Sequence, residues 1–150
     1  MTICSSDQRT SILRQLLGQP RLRGADLRKV PKRPGIYVIH LGLPDPLCLK
    51  VGIAGPRRKD GLYGRLQLHF RSNPSNTVLA EHMIADATPV WATNSDFRIR
   101  ADRSAFLKAR CFFQILERQD DESRLRELEG FLEDALRPRY RGSVGGPYET

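Results

Sequence analysis

Four side chains able to act on an anion lie in one short reach of the sequence: Tyr37, Lys50, Arg65 and His69. Tyr37 belongs to the run Gly35-Ile36-Tyr37-Val38-Ile39 and Lys50 to Leu49-Lys50-Val51-Gly52. Both runs read as strands, and the proline-broken turn at 41–46 separates them. Antiparallel pairing about a midpoint near residues 43 and 44 sets Tyr37 opposite Lys50, with Cβ atoms about 5 Å apart on one face. Arg65 and His69 stand four apart on the helix that follows and so share a face of it. The grouping suits an anionic substrate. Cations would bind and screen its charge, while the phenol and imidazole move protons.

A carboxylate joins them from far along the chain. The last helix has Asp120 or Asp121 as N-cap and an apolar stripe of Leu125, Leu128, Leu132, Ala135 and Leu136. At about 100° per residue, Glu129 falls inside that stripe, Glu127 and Asp134 point away, and Glu133 lies at the edge. A carboxylate on a buried face needs a partner. Two are open: an arginine such as Arg65, in a salt bridge, or a divalent cation. Pro138 ends the helix, and Arg137, Arg139 and Arg141 border it with positive charge.

The elements that position these residues read as follows. Residues 53–64 form a loop in which Arg57, Arg58 and Lys59 could contact phosphates without reading sequence, with Asp60 as a cap for the next helix. Residues 7–17 make an amphipathic helix with Ile12, Leu13, Leu16 and Leu17 on its apolar side. The basic stretch 21–30 packs on a flank or touches a phosphate backbone, a solvated face being the simpler reading of its charges. Helices are expected at 78–87 and 104–110 and a third strand at 111–117. Between them, 88–103 is ambiguous. There, Phe97 and Ile99 alternate with Arg98 and Arg100, as on an edge strand protected by charge or on a DNA-facing rim.

Composition narrows the partners. Lys and Arg exceed Asp and Glu by eight (25 − 17), with a pI near 9.9, which favours nucleic acid over an anionic membrane surface. Cys4, Cys48 and Cys111 are too few and too scattered for a disulfide framework or a cysteine zinc site. Cys48 and Cys111 read as small core residues. No stretch approaches the length of a membrane span and no leader is evident, so a cytoplasmic location is expected.

The stretch from 34 to 70 resembles the GIY-YIG nuclease module. Gly35-Ile36-Tyr37 matches the first motif as written, and Lys50-Val51-Gly52 occupies the second, with lysine for tyrosine and valine for isoleucine. Arg65 and His69 match its Arg-x-x-x-His helix. Leu128-Glu129 with Arg137-Pro138-Arg139-Tyr140 resembles its closing element, a helix with a metal-binding glutamate followed by a Pro-x-Tyr-Asn turn. The likeness spans roughly residues 30–142. It implies an α+β fold, a small antiparallel three-stranded sheet flanked by helices. It further implies a 31–142 catalytic module with an insertion at about 71–110, preceded by a 1–30 helical, basic extension and followed by a 143–150 tail.

What the resemblance implies about function is a divalent-metal-dependent DNA endonuclease, of restriction or mobile-element type, with RNA left open as substrate. Glu129 would hold one Mg²⁺ or Mn²⁺, Tyr37 would activate water with its pKa lowered by Lys50 and Arg65, and Arg65 would stabilise charge on the phosphate. His69 would orient Tyr37 or exchange a proton with it. Arg57, Arg58, Lys59, Arg139 and Arg141 would contact nucleic acid. Two departures stand out: Lys50 replaces the second tyrosine, as in certain restriction enzymes, and Arg141 stands where asparagine is usual. They support an alternative, a weak or inactive nucleic-acid-binding protein on the same fold. A protein-interaction domain is a third possibility, marked by an absence of salt-sensitive DNA binding.

Overall fold

Tyr37 sits on the central strand of a three-stranded antiparallel sheet in the computed structural model, which describes residues 6–142. The strands are β1 (Gly35–Leu41), β2 (Leu47–Ala54) and β3 (Cys111–Glu117), in the order β2-β1-β3. Helices flank both faces, so the fold is α+β. The alternation of β1 divides the core: Tyr37, Ile39 and Leu41 enter one apolar cluster, Ile36 and Val38 the other. Over the first face lie α2 (Gly61–Arg71), α3 (Val78–Asp86) and α4 (Arg100–Arg110), through Leu66, Phe70, Leu79, Met83 and Phe106. Over the second lie α1 (Ser6–Leu17) and α5 (Glu122–Leu136), through Ile12, Leu16, Leu125, Leu128 and Leu132. A central strand covered on both sides is buried along its whole length, as β1 is.

The described part of the N-terminal 30 residues shares this core. Leu22 exchanges two backbone hydrogen bonds with Phe113, at 2.9 and 2.7 Å, and a 3₁₀ turn at Gly24–Lys29 leads into Val30. Cys48 and Cys111 are buried, whereas Cys4 and the 143–150 tail lie outside the described residues. No described helix is long and apolar enough to cross a membrane.

Four local expectations need correction. Tyr37 faces Gly52, and Lys50 faces Ile39. The register slips by one between Ile39 and His40, leaving Leu49 as an extra residue on β2, so pairing symmetric about the turn does not apply. The displacement is two residues, an even number, so Lys50 stays on the face of Tyr37. Secondly, no strand forms in 88–103. Phe97 is fully buried against Trp91 and Phe106, and α4 starts at Arg100, four residues earlier than expected. Arg98 folds back onto Asp96 at 2.8 Å and Arg100 donates to the Arg71 carbonyl, and both stay exposed although no strand aligns them.

Thirdly, Asp60 occupies the N-cap of α2 but makes no side-chain cap bond. The free N–H groups of Leu62 and Tyr63 are taken instead by the carbonyls of Arg33 and Pro31, at 2.8 and 3.2 Å. Asp121 caps α5 as expected, accepting from the Arg124 N–H at 2.8 Å. Finally, Ala135 is exposed and drops out of the α5 stripe, whereas half-buried Leu136 still packs on the core as expected, and Glu133 is buried beside it.

One buried group gives the fold a pH dependence. The His40 ring stacks on Phe112 at 4.9 Å, and burial, helped by Arg21, holds its pKa down to about 4 from an ordinary 6.5. As pH falls through that window the unfolded chain takes up a proton that the folded chain refuses, so stability is lost. Buried His69, held well below 6.5 by desolvation and then by Arg65, acts in the same direction. The urea midpoint is therefore expected to drop between pH 7 and pH 4.5, and His40→Gln to narrow that drop. An equal drop in both proteins would remove His40 as its source.

Candidate active site

Gly52 makes the seat for Tyr37. A Cβ at this position would lie 2.2 Å from the phenol oxygen and 2.3 Å from Cζ, so the ring rests where a side chain is missing. The fully buried ring reaches His69, whose Nε2 is 2.5 Å from the hydroxyl. His69 stands one helical turn beyond Arg65 on α2, which places the guanidinium at the mouth and the imidazole behind the phenol. His69 Nδ1 is buried and has no hydrogen-bond partner among the described residues.

Tyr37 lines a cleft of about 140 Å³ together with Lys50, Gly52, Arg58, Arg65 and Glu129. A water's share of liquid volume is about 30 Å³, so the cleft suits a phosphate-sized group with a few waters. Glu129 arrives from the opposite face of the sheet. α5 packs mainly on β2, an edge strand, with Leu125, Leu128 and Leu132 against the sheet. The neighbouring stripe at Arg126, Glu129 and Glu133 thereby passes the strand edge, and Arg126 and Glu129 enter the cleft beside Gly52. The sequence thus brings Tyr37, Lys50, Arg65 and Glu129 to one space, with His69 directly behind it.

Electrostatics reverse one expectation. Burial raises the pKa of Tyr37 above its ordinary 10, and this outweighs the lowering by Arg65 and Arg58. The phenol therefore rests protonated, hydrogen-bonded to an imidazole that desolvation and three nearby cations keep neutral. Lys50 is also lowered by burial, against the opposing pull of Glu129 and Glu133. Its Nζ donates to the Gly142 carbonyl at 2.6 Å. Glu129 is raised, first by desolvation and then by Glu133. Its carboxylate takes part in no salt bridge among the described residues. The alternative of an Arg65 salt bridge is not formed. Arg65 instead donates to the Asn76 carbonyl at 3.3 Å.

The outer cations divide into two groups. Arg57, Arg58 and Lys59 are exposed, and Arg58 borders the cleft itself. Arg139 is bound to Asp86 at 2.8 Å, and the Tyr140 hydroxyl donates to the same carboxylate at 2.5 Å. Arg141 is held by Asp134 at 2.5 Å and lies 3.8 Å from Glu133. These two arginines anchor the segment after α5. Its backbone bonds Arg139 N–H to Cys48 O (2.8 Å) and Tyr140 N–H to Leu49 O (2.9 Å), covering the free edge of β2 at those two residues. The segment then delivers Gly142 to Lys50, while Glu133 accepts from the Gly142 N–H at 3.3 Å.

Sequence reasoning did not single out Arg126, Glu133 or Gly142. The spacing 126, 129 and 133 is a helical signal that could have found the first two once Glu129 was chosen. Gly142 carried none, since its contact depends on where the chain runs after Pro138.

The donor set bears on metal chemistry. No group of three or more His, Cys, Asp or Glu that could hold a metal forms among the described residues. A Mg²⁺-class ion that keeps several waters and takes one carboxylate fits the half-buried Glu129. Comparison with protein-family models, curated proteins and solved structures finds no match.

Proposed function

We propose that this chain is a divalent-metal-dependent endonuclease that hydrolyses phosphodiester bonds in DNA, of restriction or mobile-element type and acting in the cytoplasm. One observation carries the reading: Tyr37, Lys50, Arg65 and Glu129 line a single phosphate-sized cleft, and Tyr37 is bonded to His69 at 2.5 Å. The likeness to GIY-YIG nucleases, carried by the same residues, supports the same chemistry. Bound at Glu129, Mg²⁺ or Mn²⁺ would supply Lewis acidity at a non-bridging oxygen and screen the leaving oxygen.

The chain's own residues do the rest. Arg65 binds the phosphate and takes up charge that develops on it. Lys50 is a second donor facing the same space, exchanging the Gly142 carbonyl for a phosphate oxygen. Because Tyr37 rests protonated, it serves as base only by relay. His69 Nε2 takes the phenol proton while the phenol oxygen takes one from the attacking water. Neutral Nε2 at hydrogen-bond distance is free to accept, but the burial and cations that keep it neutral also weaken it as a base, so the anionic phosphate in the cleft must offset those cations during the step.

The same buried phenol favours a second reading, a nucleic-acid-binding protein with little activity, because an unactivated tyrosine leaves water without a base. Plasmid DNA with Mg²⁺ or Mn²⁺ separates the two. The nuclease reading expects nicking or linearisation that EDTA stops and that Tyr37→Phe lowers by about 10²-fold or more. DNA retarded on a gel but never cut would establish the binding protein instead.

A further inference from the structure

The cleft is not isolated. Arg58 lies at the junction of three depressions: the cleft itself, a groove with Arg57, Lys59, Glu122 and Arg126, and a groove along α2. The last is lined by Lys59, Asp60, Gly64, Gln67, Leu68 and Arg71. Positions 64, 67, 68 and 71 recur at helical spacing, so the groove follows one face of α2 away from the cleft. Arg58, Lys59 and Arg71 form no salt bridge among the described residues, and Asp60 is the single acid in this groove. In the other groove Glu122 is met by Arg126 at 3.6 Å, leaving Arg57, Arg58 and Lys59 in excess.

We propose that this face of α2, from Lys59 to Arg71, is a second nucleic-acid contact, continuous with the cleft through Arg58, which holds the strand on one side of the phosphate bound by Arg65. From Gly64 to Arg71 the helix rises about 10 Å at about 1.5 Å per residue. One strand of a duplex carries a phosphate about every 3.4 Å of axis, so this face spans about three phosphates. The Arg57 and Arg126 groove takes the strand on the other side. Contacts of this kind fix the path of a strand without reading its sequence. The inference rests on a nucleic-acid partner but not on cleavage.

The test measures affinity for a fluorescein-labelled DNA duplex in EDTA over a range of NaCl concentrations. Two neutralised phosphates account for a slope of about 1.8 in log affinity against log salt. Lys59→Ala/Arg71→Ala is expected to flatten the slope by about that amount, and Arg14→Ala/Lys108→Ala, exposed cations on other elements, to leave it unchanged. An unchanged slope in the first variant, or an equal loss in both, overturns the contact. Cleavage is scored separately. Wild-type protein that binds with the steep slope but never cuts keeps the contact and removes the nuclease reading. Cleavage with an unaltered slope in Lys59→Ala/Arg71→Ala does the reverse.

Discussion

Glu129→Gln is expected to lower Mg²⁺-dependent cleavage by about 10³-fold while leaving the melting temperature unchanged or slightly raised. The rate effect follows from losing the carboxylate that would hold the ion. Lewis-acid stabilisation of the transition state is worth several kcal/mol, and about 4 kcal/mol corresponds to that factor. The stability effect follows from the surroundings of Glu129. Burial and Glu133 raise its pKa, and it has no salt-bridge partner among the described residues, so ionising it disfavours the folded state. A neutral amide of the same shape removes that penalty. A residue kept where it costs stability is what a functional site would show. Were Glu129 the partner of a buried arginine, its loss would destabilise the fold by about 3–5 kcal/mol. A calorimetric scan beside the cleavage assay distinguishes the two. A sharp fall in melting temperature with cleavage intact would make Glu129 structural.

The contrast between Glu129 and its neighbours shows what a sequence can hold. The strands and helices were legible because apolar periodicity is local: β1, β3, α1, α3 and α5 follow directly from where the branched, aromatic and leucine residues fall. Tyr37, Lys50, Arg65 and Glu129 could be grouped because three of them sit on consecutive elements and the fourth on a strongly periodic helix. What escaped depends on long-range placement. The slip at Leu49 arises in β2 itself, yet no composition signal marks a bulge there. Asp60 lost its capping role to carbonyls at Pro31 and Arg33, from a segment about thirty residues earlier. Arg139 and Arg141 read as free cations in the sequence, whereas in the fold Asp86 and Asp134 hold them. The direction of the Tyr37 pKa departs from the sequence expectation for a related reason. Nearby cations can be guessed from spacing, but the depth of burial that outweighs them cannot.

Gly52→Ala is expected to destabilise the protein by about 3 kcal/mol, the upper end for overpacking a core, and to remove cleavage with it. The added methyl would lie 2.2 Å from the phenol oxygen, far inside contact distance, and neither neighbour can easily yield. Gly52 is fixed by its pairing with Tyr37 on the central strand, and the Tyr37 ring is enclosed and bonded to His69. Either the ring leaves the imidazole, breaking the proton relay, or β2 shifts and carries Lys50 with it. The seat can be tested as a coupling, because residues in contact fail to add. Tyr37→Ala alone opens a cavity and should cost about 3–5 kcal/mol, as large-to-small aromatic changes do. In the Gly52→Ala background the same change also relieves the clash, so its cost there should be smaller by about 1 kcal/mol or more. Urea midpoints for the four proteins of this cycle give the answer. Strict additivity would mean that the phenol is not held over Gly52, and the alignment of Tyr37 with His69, Arg65 and Glu129 would lose its structural basis.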